Sequence, residues 1–312
     1  MRHFCTLFNS AYQYHAHLLY NSLSEIYTEF ELYFFCFDEK SLLYFKELNL
    51  PNIKLIYIND LEEKFPELKS VKTSRSVAEY FFTSTPATCK YVFEQYLHVD
   101  EIVYLDADIF FYQSPEPIFD EISNYSVSII PHRFNWLNYG RNVFGYYNVG
   151  WVSFKKDKDG IACLNNWYNN NIEWCFDKLT LTKYADQKYL NYWVSKFNNV
   201  RVIKNIGANV APWNIGRYKI TIENNQLFIN KHPLIFYHFA SLKLIDESFY
   251  TTISSYFFTV KPSIKKLIYI PYIISLKKLG FVPKASVRLN KNYFINIIRN
   301  FTRSLFNDFI NT

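Results

Sequence analysis

The chain has 312 residues, of which 49% are hydrophobic, 20% aromatic and 20% charged, and its formal net charge is +6 at pH 7. This length suits one α/β domain with an appendage. The balance of apolar and charged residues is that of a folded protein and excludes a disordered, low-complexity chain.

The cysteines and the apolar runs indicate the compartment. The five cysteines are odd in number, scattered and without a C-x-x-C pair, which favours buried reduced thiols over disulfides or zinc ligands. No signal peptide is expected, because a strand-like run begins at once with Phe4. The apolar run 267–276 is broken by Pro271 and is far shorter than the roughly 20 residues that a bilayer requires. We therefore expect a cytoplasmic protein.

The first 60 residues alternate between strand and helix patterns. Apolar β-type runs and helical periodicity predict the strands 3–8, 31–37 and 53–58 and the helices 11–24 and 41–48. This alternation predicts an α/β fold with a mainly parallel sheet, in which ligands bind beyond the carboxyl ends of the strands. Asn9, Asp38 and Asp60 follow such ends and are rim candidates, although for each acid taken singly a position in a loop or at a helix cap is favoured.

Residues 73–97 predict two helical pieces. Ser74 precedes the first, and Thr83, Ser84 or Thr85 caps the second, with Pro86 in its first turn. Lys72 and Arg75 stand before the next strand, where they either reach phosphates or form a solvated helix face.

The run 102–112 predicts one buried strand that carries Asp106 and Asp108. In an extended strand, residues i and i+2 share a face, so both carboxylates would point at one place. Two buried carboxylates need a partner, and a divalent cation with phosphate oxygens on its far side would satisfy both. The alternative is a polar strand end whose acids are solvated or cap a turn.

The middle of the chain predicts further parts of a ligand site. A strand over 127–131 ends at His132 and Arg133, and the aperiodic residues 134–145 predict a mobile loop that covers a substrate. The strand 146–154 contains Gly150, which predicts a bulge or a close approach of the backbone. The remaining predicted elements are a helix over 161–176, a helix over 184–193 with Asp186 in its first turn, a strand over 200–203, a loop over 206–214, and a hairpin-like pair over 227–229 and 234–239 that delivers His238.

The C-terminal tail is strongly basic. Residues 261–312 contain ten Lys and Arg and one acid, and 290–310 has the apolar periodicity of a helix. A basic amphipathic segment suits an anionic membrane surface. A helix folded back on the body is the alternative; nucleic acid is disfavoured because the body is slightly acidic and contains no nucleic-acid-binding motif. We predict a domain over 1–248 and a tail, largely helical, over 249–312.

The chain contains four short motifs. Their order and spacing together are a more specific signal than any one motif alone. They are Leu105-Asp106-Ala107-Asp108, Asn148-Val149-Gly150, Asp186-Gln187-Lys188-Tyr189-Leu190-Asn191 and His238-Phe239-Ala240-Ser241-Leu242-Lys243. Together they resemble the D-x-D, N-x-G, D-Q-x-x-L-N and H-x-x-G-x-K motifs of the metal-dependent GT-A glycosyltransferases. The likeness is greatest to glycosyltransferase family 8 and related bacterial nucleotide-sugar transferases of surface-glycan synthesis, and it covers residues up to about 245. Ser241 departs from the family's glycine.

The resemblance implies a Rossmann-like GT-A fold with helices on both faces of the sheet, and a role for each motif residue. Asp106, Asp108 and His238 would bind Mn²⁺ or Mg²⁺. Asp186 would grip sugar hydroxyls, and Gln187 would lie near the anomeric carbon. The implied nucleotide-sugar contacts are Thr6, Asn9, Arg75, Asp106, Asn148, Gly150 and Lys243.

The implied activity is transfer of a hexose or N-acetylhexosamine, with retention, from a UDP-sugar to a glycan or glycolipid acceptor in surface-polysaccharide or lipopolysaccharide synthesis. The expected location is the inner face of the plasma membrane. Two alternatives remain. A non-catalytic carbohydrate-binding protein would keep the fold, and a haloacid-dehalogenase-like phosphatase would use Asp106 as its nucleophile. Such phosphatases usually have Thr or Val two residues after the second aspartate, where this chain has Phe110.

Overall fold

The structure, a computed structural model, describes residues 1–245, 248–281 and 309–310. The strands are β1 (Arg2–Phe8), β2 (Phe30–Cys36), β3 (Ile53–Tyr57), β4 (Glu101–Leu105), β5 (Ile109–Phe111), β6 (Val127–Pro131), β7 (Tyr147–Lys155), β8 (Val200–Val202), β9 (Ile220–Glu223), β10 (Gln226–Ile229), β11 (His232–Pro233), β12 (Phe236–His238), β13 (Lys243–Ile245), β14 (Ser248–Tyr250) and β15 (Phe309–Ile310). The α-helices are α1 (Gln13–Ser24), α2 (Glu39–Leu48), α3 (Ile58–Lys64), α4 (Pro66–Val71), α5 (Val77–Gln95), α6 (Glu116–Ile122), α7 (Lys158–Glu173), α8 (Trp193–Lys196), α9 (Pro262–Ile264) and α10 (Ile270–Lys278). A π-helical turn, Lys265–Tyr269, joins α9 to α10, and the 3-10 helices are Lys72–Ser74, Trp136–Phe144, Lys188–Tyr192, Ile215–Arg217 and Ile253–Tyr256.

A seven-stranded sheet in the order β3-β2-β1-β4-β7-β6-β8 forms the centre of the protein. Its neighbours pair in parallel except where β7 meets β4 and β6. The expectation of an α/β fold with a mainly parallel sheet is therefore confirmed.

Both faces of this sheet are buried. Along β1, Phe4 and Phe8 join one apolar core, which contains residues of α1, α2 and α6, whereas Cys5 and Leu7 join another, which contains residues of α3, α5 and α7. The alternation follows from the period of two in a strand. It also explains why these strands are apolar at nearly every position.

The predicted elements of the first 60 residues are confirmed within one or two residues. Both candidate rim acids in this region cap helices. Asp38 accepts hydrogen bonds from the backbone N–H groups of Ser41 and Ser10, and Asp60 accepts one from the backbone N–H of Tyr57. Their local capping chemistry explains both positions.

The prediction of two helical pieces over 73–97 was wrong, because α5 is one helix with Pro86 in its interior. A proline there leaves the carbonyl of residue i−4 without its helical donor. That carbonyl belongs to Phe82, and the side-chain amide of Asn171 in α7 donates to it at 3.3 Å. A distant side chain thus offsets part of the cost of the proline.

The prediction of one continuous strand over 102–112 was also wrong. The chain turns at Asp106–Asp108, where the N–H of Ile109 donates to the carbonyl of Asp106 at 3.2 Å. After the turn, β5 leaves the main sheet and pairs antiparallel with β12. The predicted pairing of 227–229 with 234–239 was wrong as well. The strand β12 pairs with β5, and β10 pairs instead with β9 and β11.

Two segments near the carboxyl ends of the strands also differ from prediction. Residues 136–144 form a 3-10 helix rather than an irregular loop. Asp186 lies in a turn that precedes the 3-10 helix Lys188–Tyr192, and not in the first turn of a helix.

The described part of the C-terminal region packs against the strand that carries His238. The ring of Tyr272 in α10 stacks on Phe239 with centroids 3.6 Å apart, and the hydroxyls of Tyr269 and Tyr237 lie 2.7 Å apart. The predicted helix over 290–310 lies outside the described residues except for β15. The division at residue 248 stays a prediction.

Two expectations about compartment concern the described residues. All five cysteines are free and buried, as predicted. None of the helices in the described ranges has the length and hydropathy needed to cross a bilayer.

Candidate active site

A cleft of 830 Å³ opens where β1 and β4 end and β7 begins. This is the edge at which an α/β sheet binds ligands. Its lining includes seven of the residues predicted from sequence: Asn9, Asp106, Asp108, Asn148, Asp186, Gln187 and His238.

Asp106, Asp108 and His238 form a compact group, here called the cleft cluster. The Nε2 atom of His238 lies 3.0 Å from an oxygen of Asp108 and 3.5 Å from an oxygen of Asp106. Backbone pairing holds this geometry, because the N–H of Phe239 donates to the carbonyl of Asp108 at 2.9 Å. One donor atom from each residue lies within 4.8 Å of the other two, so the cluster could hold a metal ion.

Burial and the mutual charges of its members set the pKa values of the cleft cluster. It raises the pKa of Asp106 to about 6; the charge of His238 opposes the shift and that of Asp108 adds to it. Burial also tends to raise the pKa of Asp108, but the charge and the hydrogen bond of His238 outweigh it and lower that pKa. The pKa of His238 is raised, because its carboxylate partners outweigh its own burial. Two acids thus share one imidazole, an arrangement that favours a bound cation.

Gly150 is required by the approach of His238 to β7. A Cβ atom on Gly150 would lie 2.5 Å from Oδ1 of Asn148 and 2.8 Å from Nδ1 of His238. The pairing register between β6 and β7 shifts here, so the predicted bulge is present. Asn148 supports the bulge by accepting the N–H of Gly150 at 2.9 Å.

Asp186 is 4% exposed and has an unusual environment. Burial, with the charge of Asp106, raises its pKa to about 8, so the carboxyl is mostly protonated at pH 7. The backbone carbonyl of Asp186 accepts a hydrogen bond from the indole N–H of Trp167 at 2.9 Å. The preceding residue, Ala185, has φ +44°, a left-handed conformation that residues with a Cβ atom rarely adopt. Strain of this kind is found where the surrounding structure fixes a functional residue.

Gln187 and Asn191 hold the end of the 3-10 helix Trp136–Phe144 against the cleft. The amide of Gln187 donates to the carbonyl of Phe144 at 2.9 Å, and Asn191 accepts the N–H of Tyr146 at 2.8 Å. Gly145 lies between Phe144 and Tyr146 with φ +141°, and a Cβ atom added there would lie 3.2 Å from Cγ of Gln187. The D-Q-x-x-L-N motif therefore also determines the local backbone.

Two side chains predicted to contact the donor, those of Thr6 and Arg75, lie apart from the cleft lining. Thr6 is fully buried in β1, and its hydroxyl has no hydrogen-bond partner. The guanidinium of Arg75 stacks 3.8 Å from the ring of Phe176 and donates to the carbonyl of Ile172. Lys243 begins β13. Their assignments stay predictions.

Ser241 adopts the conformation for which glycine is suited. Its φ is +58°, in the left-handed region that glycine adopts most readily. Ser241 lines the cleft beside His238.

The sequence reasoning missed other cleft residues: Tyr12, His132, Arg141 and Trp213. Burial and the charges of Asp108 and Asp106 raise the pKa of Tyr12 to about 12. Burial lowers the pKa of His132 to about 4. The position of His132 directly after β6 was a usable signal, whereas Trp213 gave none, since it enters from a loop far along the chain.

Comparisons with known proteins identify relatives of this chain and its fold. No protein-family model matches the chain. It is 30% identical over 302 residues to the uncharacterized protein YfnD of Bacillus subtilis (strain 168), an alignment that covers 91% of this chain and 96% of YfnD. It is 29% identical over 251 residues to the uncharacterized protein YfnF of the same organism, an alignment that covers 78% of this chain and 82% of YfnF. The solved galactosyltransferase LgtC, in complex with donor and acceptor sugar analogues, matches 90% of this chain and 98% of its own with a TM-score of 0.53 at 14% identity. This likeness shows that the fold is GT-A.

Proposed function

Since the chain belongs to the same protein family as YfnD and has the GT-A fold, we propose that it is a metal-dependent glycosyltransferase. It transfers a hexose or N-acetylhexosamine from a nucleotide-diphospho-sugar, in our proposal a UDP-sugar. The observation that carries the proposal is the convergence of Asp106, Asp108 and His238 in the cleft.

The donor set of the cleft cluster fits a divalent cation. Two carboxylate oxygens and one imidazole nitrogen suit Mn²⁺, with Mg²⁺ as the harder alternative. The partial exposure of Asp106 leaves the cluster open to the cleft, where the diphosphate of a donor would lie. When bound, the cation would neutralise negative charge that develops on the departing diphosphate.

The sugar of the donor would lie between Asp186 and the bulge at Asn148–Gly150. A protonated carboxyl at Asp186 can donate a hydrogen bond to one sugar hydroxyl and accept one from another. The strained backbone at Ala185 and the indole of Trp167 support this orientation. The fixed geometry would position the anomeric carbon without reorganisation.

Retention is proposed from the resemblance to glycosyltransferase family 8, and Gln187 bears on how it would be achieved. Double displacement needs a carboxylate on the far face of the sugar, and the carboxamide of Gln187 is a poor nucleophile. We therefore propose attack from the front face within a tight ion pair. NMR of the new glycosidic linkage tests this step, and inversion at the anomeric carbon would contradict it.

The remaining donor contacts complete the proposal. Thr6 and Asn9 would contact the nucleotide, and Lys243, with Arg75, would add positive charge near the diphosphate. The proposed acceptor is a glycan or glycolipid of surface-polysaccharide or lipopolysaccharide synthesis, reached from the cytoplasmic face of the membrane. The ten Lys and Arg of residues 261–312 support contact with an anionic lipid surface.

A donor assay tests the proposal. Purified protein is incubated with a panel of UDP-sugars, with Mn²⁺ or with EDTA, and UDP release is measured. We expect release that requires Mn²⁺. His232→Gln, on the exposed strand β11, is the matched control and should behave as wild type. Release of phosphate from simple monoesters would instead favour a phosphatase. Binding of the donor without turnover would favour a carbohydrate-binding protein.

A further inference from the structure

A second group of metal-ligating side chains lies at the opposite end of the sheet. It consists of His3, Glu31 and His98, here called the edge cluster. His3 in β1 and Glu31 in β2 are paired in register at the amino ends of these strands, and His98 precedes β4. One ligand atom from each residue lies within 4.8 Å of the other two.

The three side chains face one another. The Nε2 atom of His98 lies 3.0 Å from Oε2 of Glu31, and the rings of His3 and His98 meet edge to face with centroids 5.5 Å apart. The Nε2 atom of His3 is buried and has no hydrogen-bond partner. A buried polar atom without a partner is destabilising, so this nitrogen is available for a ligand that the protein fold does not itself supply.

The surroundings orient the carboxylate of Glu31. The hydroxyl of Tyr33 donates to its Oε2 atom at 2.6 Å, and Lys54 lies 3.5 Å from the other oxygen, Oε1. Lys54 therefore contacts the carboxylate oxygen that does not face His98, and Oε2 is oriented toward that ring by Tyr33. Hydrogen-bonded carboxylates of this kind are usual among metal ligands.

We propose that the edge cluster is a Zn²⁺ site with two imidazole nitrogens and one carboxylate oxygen as ligands. This donor set suits Zn²⁺, which binds His nitrogen and Glu oxygen at about 2.0–2.2 Å in tetrahedral sites. The side chain of His98 is 55% exposed, so an ion enters from solvent and water completes the coordination. The ion joins β1, β2 and the segment before β4, and its role is to stabilise this end of the sheet.

The test is a Zn²⁺ titration by isothermal calorimetry of tag-free protein. The background variant is Asp108→Ala, which disables the cleft cluster, so that zinc bound there is not counted. We expect one equivalent bound to Asp108→Ala, and binding weakened at least about tenfold in Asp108→Ala with His98→Gln. Zn²⁺ should also raise the thermal midpoint of the first protein by more than that of the second at the same Zn²⁺ concentration.

Two further variants make the test specific. Tyr33→Phe removes only the hydroxyl that orients Glu31, and we expect it to weaken binding by about tenfold while circular dichroism stays that of wild type. His232→Gln removes an exposed histidine outside the cluster and should leave the affinity unchanged. Equal Zn²⁺ affinity with and without His98, or equal loss in His232→Gln, would overturn the proposal without affecting the proposed glycosyltransferase activity.

Discussion

The cleft cluster and the edge cluster present similar donor atoms at opposite ends of the central sheet, but the backbone that supports them differs. The edge cluster arises from regular parallel pairing, in which His3 and Glu31 are neighbours in register. The cleft cluster depends on a turn at Asp106–Asp108, a bulge at Gly150 and a strand, β12, from much later in the chain.

The backbone geometry of the two clusters distinguishes a site for catalysis from a site that stabilises the fold. At the cleft, Ala185 and Ser241 adopt left-handed backbone, and two acids share one imidazole. Such features cost stability and persist where the surrounding structure enforces them. At the edge, the strands keep ordinary geometry. We therefore assign turnover to the cleft alone.

The largest expected effect comes from Asp108→Ala. We expect Mn²⁺-dependent UDP release to fall on the order of a thousandfold, because several kcal/mol of transition-state stabilisation depend on the cation. The thermal shift caused by Mn²⁺ should disappear as well. An unchanged shift would place the metal elsewhere and remove the distinction between the two clusters.

Acid should destabilise the folded protein through the buried imidazole of His15. Burial lowers the pKa of His15 to about 4, although the charge of Asp108 opposes this shift. The unfolded chain binds a proton at this residue below about pH 6.5, and the folded protein does not until about pH 4, so stability falls as pH decreases through this window. The loss is at most roughly 3 kcal/mol.

The measurement is urea denaturation between pH 7 and pH 4. His15→Gln retains a group that can bond the hydroxyl of Tyr272, the present partner of His15 at 2.6 Å, and should show a shallower decline than wild type. His232→Gln is the control. A decline as steep in His15→Gln as in wild type would mean that His15 is not responsible.

Gly150→Ala tests the close approach within the cleft cluster. The added methyl group would displace His238 or Asn148, so we expect a loss of about 1–3 kcal/mol of stability and weaker Mn²⁺ binding. Gly140→Ala is the matched control, because nothing lies within 4 Å of a Cβ there, and it should change stability by less than about 0.5 kcal/mol. Equal behaviour of the two variants by calorimetry would contradict the crowding argument.

The smallest expected effect on turnover belongs to the edge cluster. His98→Gln should leave Mn²⁺-dependent UDP release within about twofold of wild type, because the two clusters share no partner. A large loss of activity in this folded variant would couple the two ends of the sheet and contradict the assignment of chemistry to one of them.

The regular part of the fold could be predicted from sequence because its signals are local. The alternation in β1 and β2 and the capping chemistry of Asp38 depend on residues a few positions away. The four motifs also identified most of the polar residues that line the cleft. Their ordered spacing carried this information, since each motif alone is short.

The irregular part could not be predicted, because its causes are distant in sequence. Pro86 lies inside α5, where Asn171 provides a partner for the carbonyl that the proline leaves free. The turn at Asp106–Asp108 has apolar residues on both sides, so the sequence pattern is that of one continuous strand. Only the pairing of β12 with β5 shows that there are two. The need for glycine at position 150 is visible only once His238 is in place.

The most direct test of the account is X-ray diffraction at the manganese absorption edge from crystals grown with Mn²⁺ and UDP. We predict an anomalous peak within coordination distance of Asp106, Asp108 and His238, with the diphosphate of UDP on its open side. A peak that contacts none of these three residues, in crystals of protein that releases UDP in a Mn²⁺-dependent manner, would contradict it.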